Sequence, residues 1–271
     1  MPHVVDCKIT AHQEAGRGHY RMALRAPEIA AEASPGQFCM IEVRPGYHPF
    51  LRRPMSIERI FADGISLLYK VEGEGTRLLS GLAVGQSISV QGPLGKPFPV
   101  DAAWERPILV AGGIGVAPFP GLAEAIIRKT GRVPEVVLAA RNDAMILCKK
   151  DFERMGCRVT LATDDGSAGR KGFASDALAE LAPGPGAVVY ACGPMPMMYS
   201  VHEVCAAAGV TCYASLEAFM ACGDGVCMGC VVEANVEIEA ERMVRVCADG
   251  PVFDTTIIDW TAQRARTGAR P

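Results

Sequence analysis

Aromatic residues are scarce in this sequence: Phe, Trp and Tyr make up 6% of 271 residues. Nothing therefore advertises a platform for stacking nucleic-acid bases. Positive charge is not in excess either. The formal net charge is −3 and no run of lysines and arginines occurs, which argues against a nucleic-acid partner. A stretch of about 18 uncharged apolar residues, enough to span a bilayer as a helix, is also missing. The opening MPHVVDCKITAHQEAG has no apolar segment behind a basic start. No secretory signal is expected, and with it a cytoplasmic chain. Structural disulfides are rare in that reducing compartment, yet the chain carries 11 cysteines. Scattered ones are read as small buried apolar residues. A tight cluster of them suggests a metal.

The texture of the chain changes twice, which predicts three parts: 1–102, 103–214 and 215–271. In the first, Tyr20, Met22 and Leu24 alternate with polar or small residues, as do Ile65, Leu67, Tyr69 and Val71. Ile88–Val90 is a further short strand. Gly and Pro punctuate these runs, the signature of an antiparallel barrel or sandwich. In the second part, apolar strands (Pro107–Ala111, Glu135–Ala140, Arg158–Ala162, Ala187–Cys192) alternate with helices. One helix runs to about Lys129, others cover Ala174–Leu181 and Pro196–Ala208. This pattern predicts a parallel sheet covered on both faces. The third part concentrates Cys and Gly, then holds a hairpin-like Val231–Val246 region and a tail, Ala262–Pro271, expected to fray.

The cysteines of the third part carry the sharpest signal. Cys222, Cys227 and Cys230, followed by Cys247, follow the C-x4-C-x2-C…C order of plant-type [2Fe–2S] proteins. Each iron needs two thiolates, so four cysteines complete one cluster. Gly223, Gly225 and Gly229 let the loop wrap so that backbone N–H groups face the sulfurs. The alternative is a zinc knuckle. Zinc prefers two C-x2-C pairs or added histidines, and only one close pair exists here. The short spacing to Cys247 predicts a small module. Cys7, Cys39, Cys148, Cys157, Cys205 and Cys212 show no ligand spacing and are expected to be buried.

In the second part, Gly112-Gly113-Ile114-Gly115-Val116-Ala117-Pro118 follows a strand and opens a helix. Glycines there let a phosphate approach the backbone and the helix N-terminus. Pro118 is expected in the first helical turn. Cys192-Gly193-Pro194 ends the last strand, and ligands in open α/β sheets bind at such carboxyl ends. Thr163–Ser167 ends the third strand of the sheet. A plain tight turn is the alternative at each place.

The string Arg53-Pro54-Met55-Ser56, Gly75-Thr76, the Gly113-x-Gly115-x-x-Pro118 turn and Cys192-Gly193-Pro194 together resemble the ferredoxin–NADP reductase superfamily. The cysteine string with Cys247-Ala-Asp-Gly-Pro-Val-Phe253 narrows this. With Tyr69-Lys70-Val71 and Thr163–Ser167, it is similar to the electron-transfer subunits of NAD-linked dihydroorotate dehydrogenase, over nearly the whole chain. The resemblance implies a flavin-binding antiparallel β-barrel, a Rossmann-like parallel-sheet nucleotide domain and a small [2Fe–2S] module. It implies that Arg53 contacts the FAD phosphate or ribityl region and Ser56 the ring near N5. Pro54, Met55, Tyr69, Lys70, Val71, Gly75 and Thr76 would line the rest of that site. A helix starting at Thr76 would seat the pyrophosphate. Gly112, Gly113, Gly115, Gly193 and Pro194 would bind NAD, and Cys192 would approach the nicotinamide as a catalytic residue.

The resemblance also implies an FMN-containing catalytic subunit that oxidises dihydroorotate in pyrimidine biosynthesis, within a heterotetramer. Electrons would cross the cluster to FAD and reduce NAD⁺. The three parts leave no residues for a (β/α)8 barrel of about 250 residues, so the substrate site would lie on that other chain. One rival is the small subunit of NADH-dependent ferredoxin–NADP oxidoreductases or sulfide dehydrogenases, in which the first cluster ligand is typically Asp where this chain has Cys222. The other is a zinc-stabilised binding module without redox activity.

Overall fold

The structure, a computed structural model, describes residues 2–267. The first part comprises β1 (His3–Gly16), β2 (His19–Arg25), α1 (Pro27–Glu32), β3 (Phe38–Ile41), β4 (Arg53–Phe61), β5 (Gly64–Lys70), α2 (Glu74–Ser80) and β6 (Ser87–Leu94). Its strands close an antiparallel barrel in the order β1-β2-β5-β4-β3-β6. The period-two pattern has its expected cause. Met22, Leu24, Ile65, Leu67 and Tyr69 all enter the barrel core. Val71 falls just beyond β5. Ser66 and Leu68, on the outer face of β5, are buried as well, because the second part of the chain packs there.

That part contains β7 (Arg106–Gly112), a 3₁₀ turn (Gly113–Val116), α3 (Phe119–Thr130), β8 (Glu135–Ala140), α4 (Lys149–Arg154), β9 (Arg158–Thr163), β10 (Arg170–Lys171), α5 (Ala174–Glu180), β11 (Ala187–Cys192), α6 (Met195–Ala208) and β12 (Thr211–Ser215). The chain ends with β13 (Val231–Glu233), β14 (Met243–Arg245), β15 (Val252–Asp254) and α7 (Trp260–Thr267). The large sheet has the order β10-β9-β8-β7-β11-β12-β15. Its strands are parallel except β15, which runs antiparallel along β12. The central strands β7 and β11 are apolar throughout because both faces are covered. β13 and β14 pair as a separate hairpin.

Four expectations change. The second helix begins at Glu74 rather than Thr76. The Thr76 hydroxyl accepts the Glu72 and Gly73 N–H groups and so fixes that start. Pro118 caps α3 from outside, with Pro120 inside its first turn. The tail from Ala262 continues α7 to Thr267; the remainder, 268–271, lies outside the described residues. Cys148 is only half-buried, beside Arg21, whereas the other five unclustered cysteines are buried. No helix among the described residues is long and apolar enough to cross a membrane.

Two features fix the barrel against the nucleotide sheet. Leu68 of the barrel shares a core with Phe98, Phe119 and Tyr190. Beside it, a bulge between Ile57 and Arg59 turns Glu58 and Arg59 toward the second part. Glu58 is wholly buried. It accepts from Arg21 Nη2 (2.6 Å) and Nε, and from Ser66 Oγ (2.9 Å). Arg21 also reaches Asp151 of α4 (2.9 Å), and Arg59 reaches Glu124 of α3 (2.8 Å). A third core joins Phe38, Met40 and Leu94 of the barrel to the sheet and to Cys230, Val246 and Cys247.

Candidate functional site

A cavity opens where barrel, sheet and C-terminal loop meet. Its walls include Pro54, Met55 and Ser56 of β4, Tyr69 and Lys70 of β5, and Cys192, Glu217 and Met220. Strand alternation decides which side chains face it. Met55 packs into the barrel core. The Tyr69 ring also turns inward, stacked on Tyr20 and hydrogen-bonded to His12 (2.9 Å). Lys70 points the other way and pairs with Glu72 (3.0 Å).

The two neighbouring arginines separate in the same manner. Arg52 donates to Ser89 O (3.0 Å) and Ser89 Oγ (2.9 Å) and so ties the loop to the barrel. Arg53 lies over the start of α2, where a Cβ on Gly75 would come 2.4 Å from its Nε. A cation, a side-chain-free residue and the N–H groups of a helix start make a cradle for an anion. This suits a flavin dinucleotide with its ring in the cavity. Gly75, Thr76 and Val71 border the cavity at no point among its lining residues.

A larger cleft of about 810 Å³ adjoins it, within the usual range for nucleotide-sized ligands. Gly112, Gly113, Gly115, Gly193 and Pro194 line it, with Arg141 and Asp164 at the ends of β8 and β9. The strand ends touch backbone to backbone. A Cβ on Gly115 would lie 2.4 Å from Cys192 O, and one on Gly193 would lie 3.0 Å from Gly112 Cα. Both turns therefore form one floor. Gly115→Ala is expected to force β7 away from β11 and to cost about 1–3 kcal/mol; an unchanged thermal melt would contradict this.

Cys192 borders the cavity between barrel and sheet and not the cleft. It is 3% exposed. Burial first, and Glu217 second, hold its thiol far above the usual range, so it stays protonated. Glu217 was not anticipated from sequence. It follows β12, a strand that no pattern announced, and lines both cavity and cleft. Its side chain keeps a solvent-facing side, yet crowding by its neighbours, then Glu72, raises its carboxyl pKa.

The four cluster cysteines come together in two pairs. Cys222 Sγ accepts the Cys227 N–H (3.4 Å), and Cys230 Sγ accepts the Cys247 N–H (3.4 Å). The Gly229 N–H reaches Cys227 Sγ (3.4 Å). That bond heads the causes that lower the exposed Cys227 thiol to about 7. The inner pair is buried, and burial pushes Cys247 up to about 12. Arg245 braces the loop by donating to Gly225 O (3.2 Å) while held by Asp249 (2.9 Å).

Among the described residues, no three His, Cys, Asp or Glu side chains are arranged to hold a single metal ion. Two-and-two pairing suits a two-iron cluster better than zinc, which gathers four ligands about one point. The loop rests on the barrel: a Cβ on Gly223 would meet Met40 Cγ at 2.6 Å. Met220 and Pro251, flanking the cysteines in sequence, form part of the wall of the cavity between barrel and sheet.

Comparison with known proteins agrees with this geometry. Residues 217–259 match the family described as the iron-sulfur cluster binding domain of dihydroorotate dehydrogenase B. Residues 109–203 match the oxidoreductase NAD-binding domain. The "dihydroorotate dehydrogenase B (NAD(+)), electron transfer subunit" of Geobacillus sp. (strain WCH70) is 38% identical, over 90% of this chain and 94% of that protein. Its namesake in Desulforamulus reducens is 35% identical over 96% and 100%. A chain of the NADH-dependent reduced ferredoxin-NADP oxidoreductase superposes with a TM-score of 0.83 at 26% identity, covering 100% of this chain and 96% of its own. With its barrel, its nucleotide sheet and its paired cysteines, the chain belongs to the family of electron-transfer subunits of NAD-dependent dihydroorotate dehydrogenase B.

Proposed function

We propose that this chain takes electrons from an FMN-containing partner subunit that oxidises dihydroorotate in pyrimidine biosynthesis, and delivers them to NAD⁺. The carrying observation is the shared wall: Met220 and Pro251 border the flavin cavity and lead directly to the cluster cysteines. When bound, a [2Fe–2S] cluster passes single electrons and FAD gathers them into a hydride, which NAD⁺ requires.

The chain's own residues bind and orient. Cys222 and Cys227 hold the exposed side of the cluster loop, and Cys230 and Cys247 its buried side. Arg53 and the start of α2 offer positive charge to the FAD pyrophosphate. Ser56 and Lys70 face the flavin ring, and the glycine floor receives NAD. Cys192 keeps its proton and acts by shape, packing beneath the site where nicotinamide and flavin meet. The assembly expected is a cytoplasmic heterotetramer.

The first test is an anaerobic absorption spectrum with iron, sulfide and flavin quantified. Two irons, two sulfides and one FAD per chain are expected. Mixing with the catalytic subunit should then couple dihydroorotate oxidation to NAD⁺ reduction. Zinc with no flavin would sink the proposal. Ferredoxin-linked activity without dihydroorotate coupling would favour the ferredoxin–NADP oxidoreductase reading instead.

A further inference from the structure

His19 begins β2 directly opposite Lys70 of β5. The next pair, Tyr20 and Tyr69, stacks toward the barrel interior. His19 and Lys70 therefore share the outer face, and both line the nucleotide cleft. His19 is 4% exposed, so the cleft wall nearly engulfs it.

One ring nitrogen is committed. Nδ1 lies 3.0 Å from Arg17 O, a group that can only accept, so Nδ1 carries the hydrogen. Burial is the main cause lowering the pKa of the ring, with Lys70 adding to it, so the imidazole is neutral. Nε2 then presents a lone pair and nothing to donate. Among the described residues no side chain or backbone group is hydrogen-bonded to it. An acceptor without a protein partner, on a ring otherwise buried and lining a ligand cleft, suits a donor from the ligand.

The position tells which part of a dinucleotide supplies it. Lys70, Ile114 and Glu217 line both the cleft and the flavin cavity. His19 stands across the strand pair from Lys70, hence at the flavin end of the cleft, where hydride transfer brings the nicotinamide. Phosphates offer only acceptors. The donors of that half are the carboxamide NH₂ and the ribose hydroxyls. Resting on the electron-transfer reading above, we propose that His19 Nε2 accepts a hydrogen bond from the nicotinamide-riboside half of NAD(H), and so sets the position of the nicotinamide over the flavin.

The test uses the flavin-loaded chain with NADH and with reduced 3-acetylpyridine adenine dinucleotide, in which a methyl replaces the amide NH₂. Dye reduction gives KM for each. His19→Leu is expected to raise KM for NADH about tenfold, the effect of one lost hydrogen bond. His19→Gln, which keeps an acceptor, should stay near the wild-type value. A rise confined to NADH assigns the carboxamide; an equal rise for both nucleotides assigns a ribose hydroxyl. Unchanged KM values in His19→Leu would overturn the proposal. Independently of any variant, NAD⁺ added to ¹⁵N-histidine-labelled wild-type protein should shift the Nε2 resonance of His19. No shift would overturn it even if the leucine variant failed to retain flavin. Wild-type protein that neither binds NAD⁺ nor oxidises NADH would bring down the underlying reading, and this proposal with it.

Discussion

Cys230→Ser is expected to abolish dihydroorotate-driven NADH formation in the assembled enzyme while NADH-driven dye reduction at the flavin persists. The serine oxygen replaces a thiolate of the buried pair, and the cluster loses its inner attachment. Cys230 and Cys247 also belong to the core that joins barrel, sheet and loop. Loss of either should therefore lower the melting temperature as well as the iron content. The outer pair should behave differently. Cys227 is exposed, so Cys227→Ser should remove iron with little change in melting. Iron analysis, circular dichroism melts and the two assays together decide the matter. Full iron content in Cys230→Ser, or equal melting losses in the two variants, would refute the assignment of inner and outer pairs.

Glu58→Ala is expected to destabilise the folded chain by about 3–5 kcal/mol, the range seen when one partner of a buried charge pair is removed. The carboxylate has no contact with water and three donor contacts from Arg21 and Ser66. Its removal leaves the Arg21 guanidinium with Asp151 as its one carboxylate among the described residues, beside the Cys148 sulfur. At roughly 2–4 °C per kcal/mol for a chain of this size, the melting point should drop by roughly 10 °C. Glu58→Gln, which keeps one acceptor and the packing, should cost less. Because Arg21 and Glu58 belong to the barrel and Asp151 to α4, the variant should also slow flavin reduction by NADH: the nucleotide sheet loses a fixed angle to the barrel. A melting loss under about 1 kcal/mol would show that the network is ornamental.

Much of this architecture was legible beforehand, for identifiable reasons. The helices and strands of the nucleotide sheet, such as Glu135–Ala140 and Ala187–Cys192, announced themselves as apolar runs between Gly and Pro. The cysteine loop was legible because metal spacing is local in sequence. What stayed hidden depended on neighbours distant in the chain. Nothing local marks β12 or β15 as partners, since their pairing is decided by the sheet edge they complete. No motif singles out Glu217 or His19 in the sequence; only the fold brings them to the cleft. Arg52 and Arg53 differ by a single position, and strand direction alone gives them different tasks. Nothing local marks Glu58 as buried; the bulge beside it turns it inward.

The antiparallel β15 has a consequence for how the protein is made. An open sheet edge invites pairing with other chains unless it is kept short or covered. Here β12 is covered by a strand that the ribosome delivers only after the whole cysteine loop has emerged. At roughly 5–20 residues per second, the 36 residues between Ser215 and Val252 take roughly 2–7 seconds to synthesise. During that interval the β12 edge stays open, while the four thiols emerge one after another. The last cluster ligand and the covering strand are therefore neighbours in sequence, Cys247 just ahead of Val252, so the edge closes only once the set of four thiols is complete.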